Sequence, residues 1–148
     1  IKCFSEFVSR TIYVGYGLVP NPLILQVFHR SSHIFIDLDR AKKFYEEKLN
    51  LNPMDTSEEG IVFGAGENSQ IYIYEKEEIQ PSDHTSAAFL VEDVENEVQQ
   101  MKEKGVNFEE YDRPDLKTVN NIATSSNGFK TAWFKDSEGN ILAITSKT

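Results

Sequence analysis

Cysteine is almost absent from this chain: Cys3 stands alone among 148 residues. That count excludes an intrachain disulfide and any cysteine-based metal cluster, and it fits a reducing, cytoplasmic setting. Basic charge is also scarce, with 15 Lys and Arg against 24 Asp and Glu for a net charge of -9. Nucleic acid and anionic membranes are therefore not expected partners, because their phosphates would be repelled rather than neutralised. No uninterrupted apolar run is long enough to span a bilayer, since Pro20, Asn21, Pro22 and Gln26 break the most apolar stretch, Ile12 to Phe28. The same prolines speak against a secretory signal, so residues 1–30 read as mature sequence. Gly64-Ala65-Gly66 lacks the third glycine and following helix of a dinucleotide site, and no Gly-x-Ser-x-Gly elbow exposes a serine.

What is present is a repeat. Asp37 to Tyr45 and Asp93 to Met101 each open an amphipathic helix directly after an apolar strand-like run. Two copies of one module, neither able to bury its apolar face alone, make a single domain whose seam is the natural place for a site. The chain length supports one core rather than two independent domains. Residues 1–30 carry +2 and leave -11 for residues 31–148, so the acidity lies in the repeats.

His33 to Ile36 reads as a strand, followed by a helix with Leu38, Ala41, Phe44, Tyr45 and Leu49 on one face and Asp37 or Asp39 as its cap. Asn52-Pro53 is read as the end of that helix unit, and Ile61 to Phe63 then pairs with Gln70 to Glu75 across Gly64 to Asn68. Glu75 to Asp83, with Pro81, suits a connection between modules. The second copy runs from Thr85 to Val91, through a helix lined by Val94, Val98 and Met101 that stops at Gly105, to strands over Asn107–Tyr111, Lys130–Lys135 and Ile141–Ser146. In the N-terminal part, Ile12 to Val14 and Leu23 to Phe28 read as strands. Between the Asn107 and Lys130 strands lies a long irregular stretch, Glu109 to Thr124, of the kind that serves as a lid or binding loop. Glu109 and Glu110 are adjacent and point to opposite faces, which argues against an acid-base pair.

These features carry a resemblance. Asp37 to Leu51, Phe89 to Val94, Gly105 to Phe108 and Trp133 to Ile141 resemble the vicinal oxygen chelate superfamily, the group of glyoxalases, bleomycin-resistance proteins and extradiol dioxygenases. The resemblance spans residues 31–148 and implies an α+β fold of two βαβββ modules, 31–80 and 81–148, whose curved mixed sheets surround a cleft, commonly in a homodimer. Residues 1–30 are an N-terminal extension or an altered first strand. The loop after Glu109 also resembles one found in a branch of the superfamily without metal.

In metal-binding members a ligand, usually His, lies on each module's first strand and another, often Glu, on each last strand. Lining up this chain puts those positions at Ser31 and Ser86, and at Tyr72 and Ala143. None matches, so the expectation is no metal cofactor; the alternative is a divalent ion held by His33 and His84, two residues away on the same strand faces, with a carboxylate such as Glu75 turned inward. His29 has no evident partner.

A metal-free cleft must be lined by other groups. Phe35, Phe63, Tyr72, Tyr74, Phe89, Trp133 and Phe134 all fall on expected strands, and alternation sends about half of them inward. Trp133 and the Tyr72/Tyr74 pair are the preferred ligand contacts because each joins a large apolar body to a hydrogen-bonding end. Arg113 and Lys117 are candidates for bringing positive charge to the cleft mouth. The functional expectation is a protein that holds a small apolar or aromatic molecule. The alternative is a metal-dependent lyase, isomerase or dioxygenase using His33 and His84.

Overall fold

A computed structural model describes residues 24–25, 31–35, 37–66, 69–75 and 84–146, the first two segments through their backbone. Its elements are β1 (Ile24–Leu25), β2 (Ser31–Phe35), α1 (Leu38–Glu47), β3 (Asn52–Ser57), β4 (Gly60–Gly64), β5 (Gln70–Glu75), β6 (Thr85–Val91), α2 (Val94–Glu103), β7 (Asp112–Arg113), β8 (Leu116–Lys117), β9 (Ala123–Thr124), β10 (Lys130–Lys135) and β11 (Ile141–Ser146). This is the α+β, repeated-module architecture expected from the sequence.

Each module brings its first strand parallel to its last. In the sheet ordered β2-β5-β4-β3, His33 lies opposite Ile73; in the sheet ordered β1-β6-β11-β10-β9, Ala88 lies opposite Ala143. The helices begin by the same device. Asp37 and Asp93 share an extended backbone at φ -135° and each accepts the backbone N–H three residues on, from Arg40 and Asn96, at 2.9 Å. Such a cap satisfies one of the donors that the first helical turn leaves unpaired. Both helices also exit through a left-handed residue, Asn50 at φ 56° and Gly105 at φ 82°. Glycine adopts this conformation without penalty and asparagine at little cost. The chain then turns so that Leu51 and Val106 re-enter the core.

Two expectations need correction, and one strand is added. The helix unit ends before Asn52-Pro53 as expected, but those residues also start β3, a wholly exposed edge strand paired with β4 that the sequence reading did not assign. Proline is tolerated at the start of an edge strand because no ladder hydrogen bond is lost there. The strand expected over 107–111 shrinks to a single bridge between Phe108 and Phe134, and β9 takes the neighbouring edge. The stretch 109–124 is not irregular, since it folds into the β7–β8 hairpin and a second tight turn. Leu23 to Phe28 supplies the short strand β1, which pairs with β6 of the second module. The expected strand Ile12 to Val14, most of the inter-module connection, and residues 1–23 lie outside the described residues.

One core joins the modules. Tyr45, Leu49, Phe63, Ile71 and Ile73 from the first and Phe89, Met101, Phe134, Leu142 and Ile144 from the second form a single buried cluster. Removing a large side chain from such a cluster typically costs about 3–5 kcal/mol for Phe→Ala. Polar contacts reinforce the join. The buried Tyr45 hydroxyl donates to Asp136 Oδ2 at 3.2 Å. Asp136 also accepts from the Glu138 and Asn140 backbone N–H groups at 2.9 Å and from Asn140 Nδ2 at 2.8 Å. Burial pushes the Asp136 carboxyl above the usual range, and these donors pull it back. Arg40 forks onto Glu138, Nε to Oε1 at 2.8 Å and Nη2 to Oε2 at 2.7 Å. Lys48 Nζ donates to the Lys104 carbonyl, tying the ends of the two helices together. Thus α1 holds the β10–β11 turn by two side chains, Tyr45 and Arg40, while Lys48 just beyond it holds the end of α2.

Glu97, on α2, is 4% exposed. Burial raises its carboxyl pKa, with Lys104 opposing. A raised folded-state pKa means that stability is present below the unfolded value and is lost as the pH rises through the folded one. Glu97→Gln is therefore expected to raise Tm by a few degrees at pH 7, with the gain fading as the pH falls below the ordinary carboxylate range; melting curves of both proteins across that range check it.

Candidate functional site

The site is built on the sheet face opposite the core. Along β10, Ala132 and Phe134 enter the shared core, and period-two alternation turns Thr131, Trp133 and Lys135 the other way. Trp133 lies opposite Ala143 of β11, which in turn lies opposite Ala88 of β6. A second apolar cluster results, separate from the core: Ala123, Trp133 and Ala143 are buried, with Ala88, Tyr111, Leu116 and Ile141 packed on them. The indole N–H of Trp133 donates to Thr85 Oγ1 at 3.2 Å, which fixes the ring's tilt. Thr131 and Thr145 pair through their hydroxyls at 3.0 Å further along the face.

The β7–β8 hairpin closes over this face. Tyr111 meets Trp133 edge to face, ring centroids 5.6 Å apart and planes at 83°. The Arg113 guanidinium sits 5.2 Å from the Tyr111 ring centre. Burial and the nearby Glu109 charge push the Tyr111 phenol pKa up, and Arg113 opposes them. Arg113 is 3.8 Å from Asp115 and Lys117 is 3.2 Å from Asp112, all four exposed. Both cations expected to meet an anionic ligand thus have carboxylate neighbours within the hairpin.

Behind the hairpin the chain is anchored. Asn120 at φ 54° and Asn121 at φ 69° form a two-residue turn closed by the mutual hydrogen bonds of Val119 and Ile122 at 2.8 and 3.1 Å. Two left-handed residues in succession define the turn type that matches strand twist, and asparagine is among the residues that enter it. The buried Asn121 donates through Nδ2 to the Phe108 carbonyl at 3.2 Å and accepts from Lys102 Nζ.

The residues proposed from sequence separate by parity. Phe63, Phe89 and Phe134 are fully buried in the shared core, so they pack the fold and do not line a cleft. Trp133 lies on the opposite face. Tyr72 and Tyr74 occupy the equivalent face of the first module, stacked 5.6 Å apart and partly exposed, with Tyr72 Oη donating to the Glu59 carbonyl at 3.3 Å. Phe35 and His33 are in β2, whose side chains lie outside the described residues. His84 is exposed just before β6, and Glu75 is exposed at the end of β5. Sequence reasoning did not single out Tyr111, Leu116, Ala88, Ala123 or Ile141 as partners of Trp133. The adjacent Asn120-Asn121 between two β-branched residues was the available sign of an ordered turn.

At three of the positions expected to hold a metal, the described side chains offer neither a carboxylate nor an imidazole. Ala143 is fully buried against methyl groups and the indole, Ser86 is the bulged residue between Thr85 and Ala87, and the Tyr72 hydroxyl is engaged with a carbonyl. Hard cations need several oxygen donors, and zinc needs nitrogen, sulfur or carboxylate groups. Among the described residues no three His, Cys, Asp or Glu side chains gather. No helix among them is long and apolar enough to cross a membrane. A shallow groove at the start of α2 is rimmed by Glu92, Asp93 and Glu95, with Lys130 bonded to Glu95.

Residues 33–144 match the Glyoxalase/Bleomycin resistance protein/Dioxygenase superfamily, and the chain belongs to it. Its fold is similar to that of a lactoylglutathione lyase from Agrobacterium tumefaciens (15% identity, 81% of this chain and 92% of that one, TM-score 0.60). It is also similar to the fosfomycin resistance protein FosX from Listeria monocytogenes in a complex with Mn(II) and dihydroxypropylphosphonic acid (17%, 84% and 93%, 0.60). A third similar fold is an integron cassette protein from the mobile metagenome of V. cholerae (16%, 84% and 99%, 0.57). At these identities the likeness is one of fold. No curated protein matches the sequence.

Asn121→Ala removes the side chain that ties the second turn to Phe108 and Lys102 and puts a Cβ-only residue at a left-handed position. It is expected to cost about 1–3 kcal/mol and to raise hydrogen exchange and protease cleavage selectively within 109–124, leaving β4 and β5 protected.

Proposed function

We propose that this protein binds a small apolar or aromatic molecule on the Trp133 face of its second module, without a metal cofactor. The observation that carries the reading is the second apolar cluster: a large indole, held by Thr85, set among alanines on the side of the sheet away from the core. Small-molecule sites combine such apolar lining with a few oriented polar groups, here the hydroxyls of Thr85, Thr131 and Thr145. Alanine at 143, where the resemblance implies an acidic residue in metal-binding members, leaves no charge beside Trp133 to oppose an apolar ligand. The net charge of -9 argues against nucleic acid as a partner. A homodimer in the cytoplasm completes this reading, with the partly exposed Tyr72/Tyr74 face of the first module available to a second copy.

The competing reading is a metal-dependent lyase, isomerase or dioxygenase that draws on His33 and His84. Elemental analysis after dialysis against manganese, nickel, zinc and iron separates the two. Metal well below one equivalent is expected; stoichiometric metal that disappears in His33→Ala or His84→Ala would establish the enzyme reading instead. Because Trp133 is the only tryptophan, its emission reports directly on the site. Saturable quenching by small aromatic compounds is expected. Calorimetry on Trp133→Leu should show affinity reduced at least tenfold, about 1.4 kcal/mol.

A further inference from the structure

The hairpin that covers Trp133 is joined to the rest of the protein in an unusual way. Among the described residues, the hydrogen bonds and ion pairs of residues 111–118 close within the hairpin itself. Tyr111 N donates to Thr118 Oγ1 and Thr118 N to the Tyr111 carbonyl, both at 2.9 Å. Asp112 pairs with Lys117, and Arg113 with Leu116 and Asp115. The anchoring bonds lie just outside: Glu109 N donates to the Trp133 carbonyl at 2.8 Å on one side, and Val119 bonds Ile122 on the other. What seats the hairpin on the sheet is side-chain contact from Tyr111 and Leu116. A unit with a closed internal ladder, two flanking anchors and only apolar seating can swing out without breaking a hydrogen bond.

Resting on the binding function proposed above, the geometry points to Tyr111 as a built-in occupant of the ligand position. The hairpin is a flap, and the ligand is a planar aromatic ring of the phenol or indole class that displaces the Tyr111 ring from Trp133. The ring that the protein itself uses defines the requirement. It stands edge-on to an indole at 5.6 Å, the arrangement that the aromatic quadrupole favours. The Arg113 guanidinium 5.2 Å from its centre belongs to the same hairpin and moves with it. A saturated ring of equal size lacks the quadrupole. Small residues at Ala88, Ala123 and Ala143 leave the floor flat, so shape selection falls to Trp133 and to whichever ring covers it.

The test uses the full chain, with indole and p-cresol as aromatic probes and cyclohexanol as the saturated comparison. Calorimetry on the wild type and Tyr111→Ala is joined to ring–ring NOE measurements between Tyr111 and Trp133 in the wild type. Since displacement forfeits the edge-to-face contact with Trp133 while Arg113 travels with Tyr111, Tyr111→Ala should bind indole about fivefold more tightly. The Tyr111–Trp133 NOE should disappear on indole saturation, and cyclohexanol should bind at least tenfold more weakly than either aromatic. Saturable indole binding that is unchanged or weaker in Tyr111→Ala, with the NOE retained, would overturn the flap while leaving the binding function standing. Equal affinity for cyclohexanol would overturn the ligand class. Absence of binding by both proteins would overturn the flap together with the binding function it rests on.

Discussion

A strand with apolar side chains on alternate residues needs one covering layer, whereas a strand apolar on both faces needs two. β10 is of the second kind: Ala132 and Phe134 turn into the shared core, and Trp133 between them turns out onto a face made of Ala88, Ala123, Ala143 and Ile141. An indole left bare in water would forfeit much of the stabilisation that burial provides, about 25 cal/mol for each Å² of apolar surface removed from solvent. The second face therefore demands its own cover, and the segment 109–124 supplies it. The tight Asn120-Asn121 turn, the tie from Asn121 to Phe108, and the seating of Tyr111 and Leu116 are all consequences of that demand.

The core face sets a different constraint, the dependence of one module on the other. Tyr45 enters the core of the first module stacked on Phe63 at 5.5 Å, and its hydroxyl ends on Asp136 of the second. A buried phenol needs a partner for its donor, and a buried carboxylate needs several donors to offset desolvation; each solves the other's problem. With Arg40 on Glu138, the first helix clamps the turn that sets β10 against β11. The turn that joins the strand of Trp133 to its partner is thus held from the far side of the sheet, by residues more than eighty positions earlier in the chain than Trp133.

Much of this was readable in the sequence because it is local. The two aspartate caps, the left-handed exit at Gly105 and the hairpin at Asp136 to Asn140 are dictated by residues within a few positions of one another. What misled was punctuation taken too literally: Asn52-Pro53 looked like a stop, yet an edge strand accommodates it, and Pro114-Asp115 looked like part of a shapeless loop, yet it turns a hairpin. Parity was the harder problem. Trp133 and Phe134 are adjacent, so only one of them can leave the core, and the choice is made by pairing Trp133 with Ala143 rather than by any property of the dipeptide. The same pairing removes Phe89 and Phe134 from the site, and in the other sheet the pairing of Phe63 with Ile71 removes Phe63. Tyr111 escaped notice because its role depends on a loop conformation that no period in the sequence announces.

Membership in the superfamily fixes the scaffold and leaves the chemistry to individual side chains. Here the positions that the sequence lines up with metal ligands carry serine, tyrosine and alanine, and the Trp133 face is aromatic and covered by a hairpin. The account therefore centres on Trp133's face as the place where a ligand binds. Methyl chemical-shift mapping of the full chain with selectively labelled alanine and isoleucine, titrated with indole, tests this most directly. The account predicts shifts concentrated at Ala88, Ala123, Ile141 and Ala143, with core methyls such as Ile73 and Ala41 unmoved. Shifts confined to first-module methyls near Tyr72 and Tyr74, or none at saturating indole, would contradict it.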